Sequence, residues 1–139
     1  MCLTPACTTS SWGVCDMGFE IKTDRAAWRA ALEAGAEAAS AALAEQMMSD
    51  SRDKIPDDGE HTLRDIGRIK KVGTGEHDLV WSNAYAAYQW YGMRIDGTHV
   101  VKHYTTAGTG KAWVDTARAE NKEKWDKVAQ NAFEKGIGT

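Results

Sequence analysis

The chain is 139 residues long and carries 17 Lys and Arg against 20 Asp and Glu, a formal net charge of −3. That length fits one domain, and a pI near 5.8 argues against a dedicated nucleic-acid binder, which is usually strongly basic. Leu, Ile, Val and Phe number 5, 6, 7 and 2, or 14% of the chain, so the core is thin, built from alanines and six tryptophans, and association with other subunits would help cover it.

No run of 18 apolar residues occurs, so no membrane-spanning helix and no membrane partner are expected. Residues 1–16, MCLTPACTTSSWGVCD, lack the basic start and apolar stretch of a signal peptide. They hold all three cysteines, Cys2, Cys7 and Cys15. An odd count without standard zinc spacing reads as a free-thiol arm rather than a disulfide framework. Residues 1–16 are therefore expected to form an N-terminal arm or extension, and residues 17–139 one domain.

The first strong element starts near Asp24. Thr23 or Asp24 is placed to cap it, because a side-chain oxygen there accepts a free backbone N–H. Between Ala26 and Ala44, 11 of 19 residues are alanine, the best helix former. Trp28, Leu32, Ala36, Ala39, Leu43 and Met47 recur at helical spacing and predict the buried face. The helix should end before Ile55-Pro56, since proline disfavours helix in the preceding residue. Residues 55–67 then read as a turn followed by strand, with Leu63–Val72 the first strand and Asp78–Ser82 the second. Gly73-Thr74-Gly75 between them makes a hairpin. Asn83 is placed to cap a short aromatic helix that Gly92 ends. Val100 and Val101 favour strand, ahead of a flexible TTAGTG loop. A second long helix is expected over Lys111–Lys135, with Trp113, Ala117, Trp125, Val128 and Ala132 on its buried side and Gly136 as its C-cap. Glu120 with Lys124 and Glu123 with Lys127 have the spacing of i,i+4 ion pairs. The order gives an α+β fold: a long N-terminal helix, a small antiparallel sheet with a short aromatic helix, and a long C-terminal helix.

Chemistry-bearing patterns are sparse. His99 and His103 lie four apart but lack the acidic residue of a zinc-protease helix. Asp57, Asp58, Glu60 and His61 offer oxygen ligands for a cation, although a Pro-Asp-Asp-Gly turn explains them more simply. The glycine runs at 73–75 and 108–110 lack the ending of a phosphate loop, and no nucleophile elbow exists. No catalytic, cofactor or metal residue is assigned. Arg64, Arg68, Lys70 and Lys71 make a basic stretch that can meet nucleic acid, and the neighbouring aromatics can stack bases. Large aromatics dominate cores and subunit contacts more often, so Trp81, Tyr85, Tyr88, Trp90, Tyr91 and Trp113 are expected at a subunit interface.

The order of these motifs resembles the minor capsid proteins of tailed bacteriophages and the wider group of head–tail connector and tail-completion proteins. Pro56, Asp57, Asp58, Gly59, Leu63 and Arg64 stand at the turn. Tyr85, Ala86, Tyr88, Tyr91 and Gly92 stand in the aromatic segment, and Lys111, Ala112, Trp113 and Ala117 open the last helix. Asp58 replaces the usual Thr, and Glu60-His61-Thr62 lengthen the gap before Leu63. The resemblance implies a structural virion protein without catalytic residues or cofactors. It also implies a homo-oligomeric ring, of six by family behaviour, in the neck between capsid and tail. Such a ring lines the DNA passage without sequence-specific binding and contacts other neck, portal-side or tail proteins. The competing reading is a small module that binds nucleic acid or a host protein.

Overall fold

The computed structural model describes residues 22–57 and 62–138. The arm expected over residues 1–16, with its three cysteines, lies outside the described residues, as do Asp58, Gly59, Glu60 and His61. Helix α1 spans Arg25–Ser51 and continues into a 3-10 turn at Arg52–Lys54. A single helical turn, α2, follows at Thr62–Asp65, then strands β1 (Gly67–Gly73) and β2 (Glu76–Trp81). Helix α3 spans Ala84–Tyr91, and α4 spans Trp113–Ile137. Two long helices with one two-stranded antiparallel sheet make the α+β arrangement.

The local signals act as their chemistry dictates at most boundaries. Asp24 caps α1, its carboxylate accepting the N–H groups of Ala26 and Ala27 at 3.0 Å each. Ile55 turns extended ahead of Pro56. Asn83 caps α3 by accepting the Tyr85 N–H at 2.9 Å, and Gly92 ends it at φ +68°, a left-handed conformation that glycine adopts without a Cβ penalty.

Helices α1 and α4 run antiparallel, and small residues set their separation. A Cβ on Gly136 would lie 2.9 Å from the Ala34 carbonyl oxygen and the Gly35 Cα, and one on Gly35 would lie 2.9 Å from Phe133 and Ile137 side-chain atoms. Gly136 is therefore not the C-cap expected of it. It lies inside α4, which continues to Ile137, because its missing side chain is needed at the crossing. The α1 face that meets α4 also differs from the expected stripe. Gly35, Ala44 and Ser51 are its buried residues, whereas Trp28 (62%) and Leu32 are exposed. Helix α4 ends opposite Gly35, so the first turns of α1 extend past it and are exposed among the described residues.

At the other end of the pair, Asp50 binds α1 to α4. Its carboxylate accepts Trp125 Nε1 at 2.7 Å, Lys124 Nζ at 2.8 Å and Gln46 Nε2 at 3.0 Å. Burial pushes this carboxyl up, but those hydrogen bonds outweigh it and hold it below its ordinary value. Lys54 likewise reaches Glu120 across the helices at 2.7 Å. Glu120 and Lys124 thus pair across the seam rather than with each other, since crossing residues face them directly.

The hairpin lies on α1. Lys70 stands opposite Asp78 and Lys71 opposite His77, with a register shift before Gly73. Glu37 accepts the Gly75 N–H at 2.9 Å and pairs with Lys71, while Ser40 meets His77 Nδ1 at 2.9 Å. The Gly75 hydrogen bond, then Lys71, hold the Glu37 carboxyl below its ordinary value. The strand expected from Leu63 begins only at Gly67, because Leu63 is drawn into the core from a helical turn. Gly67, which breaks the apolar alternation, does so for packing: a Cβ there would lie 2.9 Å from Trp81 Nε1.

Two predictions follow from these contacts. In an open helical site, Gly→Ala stabilises by about 0.5–1 kcal/mol. Gly136→Ala should instead destabilise the protein by about 1–3 kcal/mol, as overpacking does, read from urea midpoints. Glu37 and Asp50 are both depressed when folded, so their stabilisation is complete above the ordinary carboxylate range and fades as pH falls through their lower folded values. A Glu37→Gln, Asp50→Asn double variant should lose stability at pH 7 and show a flatter acid limb in thermal melts between pH 7 and pH 2.

Candidate functional site

The turn motif and the aromatic segment meet around one core. Ile55, Leu63, Ala86 and Trp113 are buried, with Ile66, Trp81, Trp90 and Val114 packed on them. Arg64 fastens the turn from outside. Its Nε and Nη2 donate to the Ile55 carbonyl at 3.2 Å, and Nη1 lies 3.2 Å from the Asp57 carboxylate. Pro56, Asp57, Leu63 and Arg64 thus come together as a folded clasp; Asp58 and Gly59 lie outside the described residues. The Asp57 carbonyl further accepts Thr106 Oγ1 at 3.2 Å, and Gly110 N–H donates to the Lys54 carbonyl at 3.2 Å. These bonds carry the return segment back over the turn.

The six aromatics expected at a subunit interface divide sharply. Trp113 is 1% exposed and stands edge-on to Trp90 at 4.8 Å and to Trp81 at 5.5 Å between ring centres. It is a core residue, and its interface assignment is corrected: a ring enclosed by two others has no surface left for a neighbour. Trp81 and Trp90 are partly buried and turn toward the same core. Tyr85 and Tyr91 (62%) are exposed. Tyr85 and Tyr88 lie 6.2 Å apart on α3, and Gln89 Nε2 donates to the Tyr85 hydroxyl at 2.7 Å. Helical phase separates neighbours in sequence: Trp90 faces in and Tyr91 faces out.

To seat Trp113, the chain enters α4 through Ala112 in a left-handed conformation, φ 48°, a geometry that costs an L-residue about 1–2 kcal/mol. The Ala112 N–H donates to the Trp90 carbonyl at 3.1 Å, which fixes that conformation. The helix accordingly starts at Trp113, not Lys111.

The region after Gly92 is more ordered than its composition predicts. Val101 N–H bonds the Gly92 carbonyl at 2.8 Å and Arg94 N–H bonds the His99 carbonyl at 2.9 Å. Met93 bridges Val100, so Val100 belongs to a small hairpin rather than a sheet strand. Its exposed apolar residues, Met93, Ile95 and Val100, continue from Tyr91.

Several polar groups have structural partners, while Ser51 Oγ, Gln89 Oε1 and the indole nitrogens of Trp81 and Trp113 are buried without a hydrogen bond among the described residues. Within the basic stretch Arg64 pairs with Asp57 and Lys71 with Glu37, and in the ladder register Lys70 stands opposite Asp78 and Arg68 opposite Val80. Ser40, His77 and Glu37 resemble a hydrolytic triad in composition, with Glu37 3.8 Å from His77 Nε2. The Ser40 hydroxyl also lies 3.1 Å from the Glu37 carbonyl, so the α1 backbone and His77 share one hydroxyl, and the three side chains tie the hairpin to α1. A polar pocket of about 110 Å³ joins the turn to the aromatic helix through Asp57, Tyr85, Gln89, His103 and Tyr104. There burial, then Tyr88, push the Tyr104 hydroxyl up. Among the described residues, no three His, Cys, Asp or Glu side chains converge as metal ligands, and no helix is long and apolar enough to cross a membrane.

The helix–turn–hairpin–aromatic order coincides with a known pattern: residues 20–133 match the sequence profile of a family described as minor capsid protein. The chain belongs to the phage minor capsid protein family. The protein is thus a structural component of the virion. No curated protein and no solved structure matches it. In this minor capsid protein the clasp, the tryptophan core and the helix seam all serve to hold a surface in shape.

Substitution separates the two halves of the aromatic segment. Trp90→Ala should destabilise the subunit by about 3–5 kcal/mol, as loss of a packed indole does. Tyr91→Ala should change stability by no more than about 0.5 kcal/mol, as at other exposed sites. Chemical denaturation of both variants checks this.

Proposed function

We propose that this minor capsid protein assembles as a ring in the phage neck, joining head to tail and lining the DNA passage. The observation that carries this reading is the apolar surface left outside the fold. Tyr91, Met93, Ile95 and Val100 are all exposed within ten residues of sequence, Tyr91 at the end of α3 and the other three on the hydrogen-bonded hairpin that follows it. Contiguous apolar surface on a soluble domain marks an interaction site. A core built from few large aliphatic residues adds to the benefit of association.

The family membership supports a structural role, and the partners that this reading names are further copies of the chain and the neighbouring neck, portal-side or tail proteins. Tyr85 and Tyr91, with Trp81, Tyr88 and Trp90 behind them, form the proposed subunit contact. A net charge of −3 per subunit gives a ring of six a total of 6 × −3 = −18. Where that charge faces the passage it repels the DNA backbone rather than gripping it.

Light scattering with negative-stain imaging tests the proposal. A ring of six has a mass of about 91 kDa, six times 15.2 kDa, with a central channel, and antibody labelling of virions places the protein at the head–tail junction. A protein that stays monomeric and never enters virions overturns the reading. Salt-dependent DNA binding that is lost on Lys70→Glu, Lys71→Glu replacement would favour the binding-module alternative.

A further inference from the structure

We propose that the tip of the hairpin formed by residues 92–101 inserts Ile95 into the groove between α1 and α4 of a second copy of this chain, with Asp96 facing Arg118 of that copy. The inference rests on the ring reading and names the contact that would build the ring.

Among the described residues the knob is held by its own hydrogen bonds and its tip is left exposed. Gly97 N–H bonds the Arg94 carbonyl at 2.9 Å, and Gly97 takes φ +72°, closing a tight turn. The Asp96 carboxylate accepts the Thr98 N–H at 3.0 Å and the Thr98 hydroxyl at 2.6 Å, which locks the tip. This fixed turn holds Ile95 at 95% exposure, the most exposed large apolar residue described. A disordered loop would let such a residue fold back, whereas this turn holds it away from the other described residues.

The socket is a groove of about 260 Å³ with Leu43, Met47 and Trp125 as its apolar part and Arg118, Lys122 and Asp126 around it. Trp125 is fixed there by its bond to Asp50. Charge complements charge. Arg94 and Asp96 flank Ile95, while Arg118, Lys122 and Asp126 flank the groove. Lys122 pairs with Asp126 at 2.9 Å, but Arg118 and Asp96 have no ion pair among the described residues.

Knob and socket lie on different surfaces of one chain. A contact between them made in one direction only is head-to-tail, and its repetition closes into a ring or runs into a filament, whereas a reciprocal exchange of knobs closes a dimer. A self-complementary patch would stop at a dimer. The match of an exposed apolar tip beside Asp96 with an apolar groove beside Arg118 is what favours a second copy as the occupant.

The test uses the full chain with Cys2, Cys7 and Cys15 changed to Ser. Oxidation of an Ile95→Cys, Met47→Cys variant should give a ladder of disulfide-linked multimers on a non-reducing gel, whereas either single variant stops at a dimer. Ile95→Asp should weaken self-association by about tenfold or more, as loss of a contact anchor does, without lowering the melting temperature. Asp96→Arg and Arg118→Asp should each weaken it by about fivefold. Combining them should restore it, a rescue that mere damage to the Asp96 turn cannot produce. Rings that form equally well with Ile95→Asp and give no ladder overturn this contact but leave the ring reading standing. Absence of self-association up to millimolar concentration and in virions overturns both.

Discussion

Where α1 crosses α4, Gly35 and Gly136 bring two backbones into direct contact. Neither glycine has room for even one carbon more. A chain with only 20 Leu, Ile, Val and Phe residues in 139 has too few large aliphatic side chains to fill a wide gap between helices. Close approach is the alternative, because dispersion contacts fall away steeply with distance. The alanine-rich composition of α1 supplies that approach along its length. The seam fixes where α4 ends relative to α1, and hence which residues of α1 overhang.

From that seam the two ends of the molecule take different characters. On the N-terminal side of Gly35, α1 extends past the end of α4, with Trp28 and Leu32 exposed among the described residues. At the far end, Asp50 joins Trp125 and Lys124, and the chain folds the turn, the hairpin and α3 around Trp113. The left-handed Ala112 is the strained point of this arrangement. Enclosure of Trp113 by Trp81 and Trp90, each edge-on, offsets it, since such aromatic pairs stabilise by about 0.5–1.5 kcal/mol beyond their burial. Three of the six tryptophans are thereby committed to one cluster.

For a structural virion protein this division is functional. The clasp of Arg64 on Ile55 and Asp57 holds the turn, the turn and Lys54 hold the return segment, and the small hairpin projects from between them. Every internal bond described near the hairpin serves to keep it in one shape. A rigid projection fits assembly, because little conformational entropy is lost when a preformed surface docks.

Much of this could be read in the residues. Asp24, Pro56, Asn83 and Gly92 each act through local backbone chemistry, and local chemistry is visible in a sequence. The two long helices were legible for the same reason, as were the turn and the hairpin at Thr74-Gly75. The partners of each face were not. Trp28 and Leu32 have the spacing of a buried stripe, but burial needs a neighbour, and α4 stops before reaching them. Gly136 has the position of a cap, yet its role was set by Gly35 about a hundred residues away. Trp90 and Tyr91 are adjacent and equally aromatic, and only the packing of α3 against Trp113 sends one inward and the other outward. The sequence by itself determined the order of the elements and the boundaries at Asp24, Pro56, Asn83 and Gly92, because capping, turn and helix propensities act over a few residues. The tertiary structure alone decided which faces are core and which are left exposed, including where β1 and α4 begin, because burial depends on what the rest of the chain brings alongside.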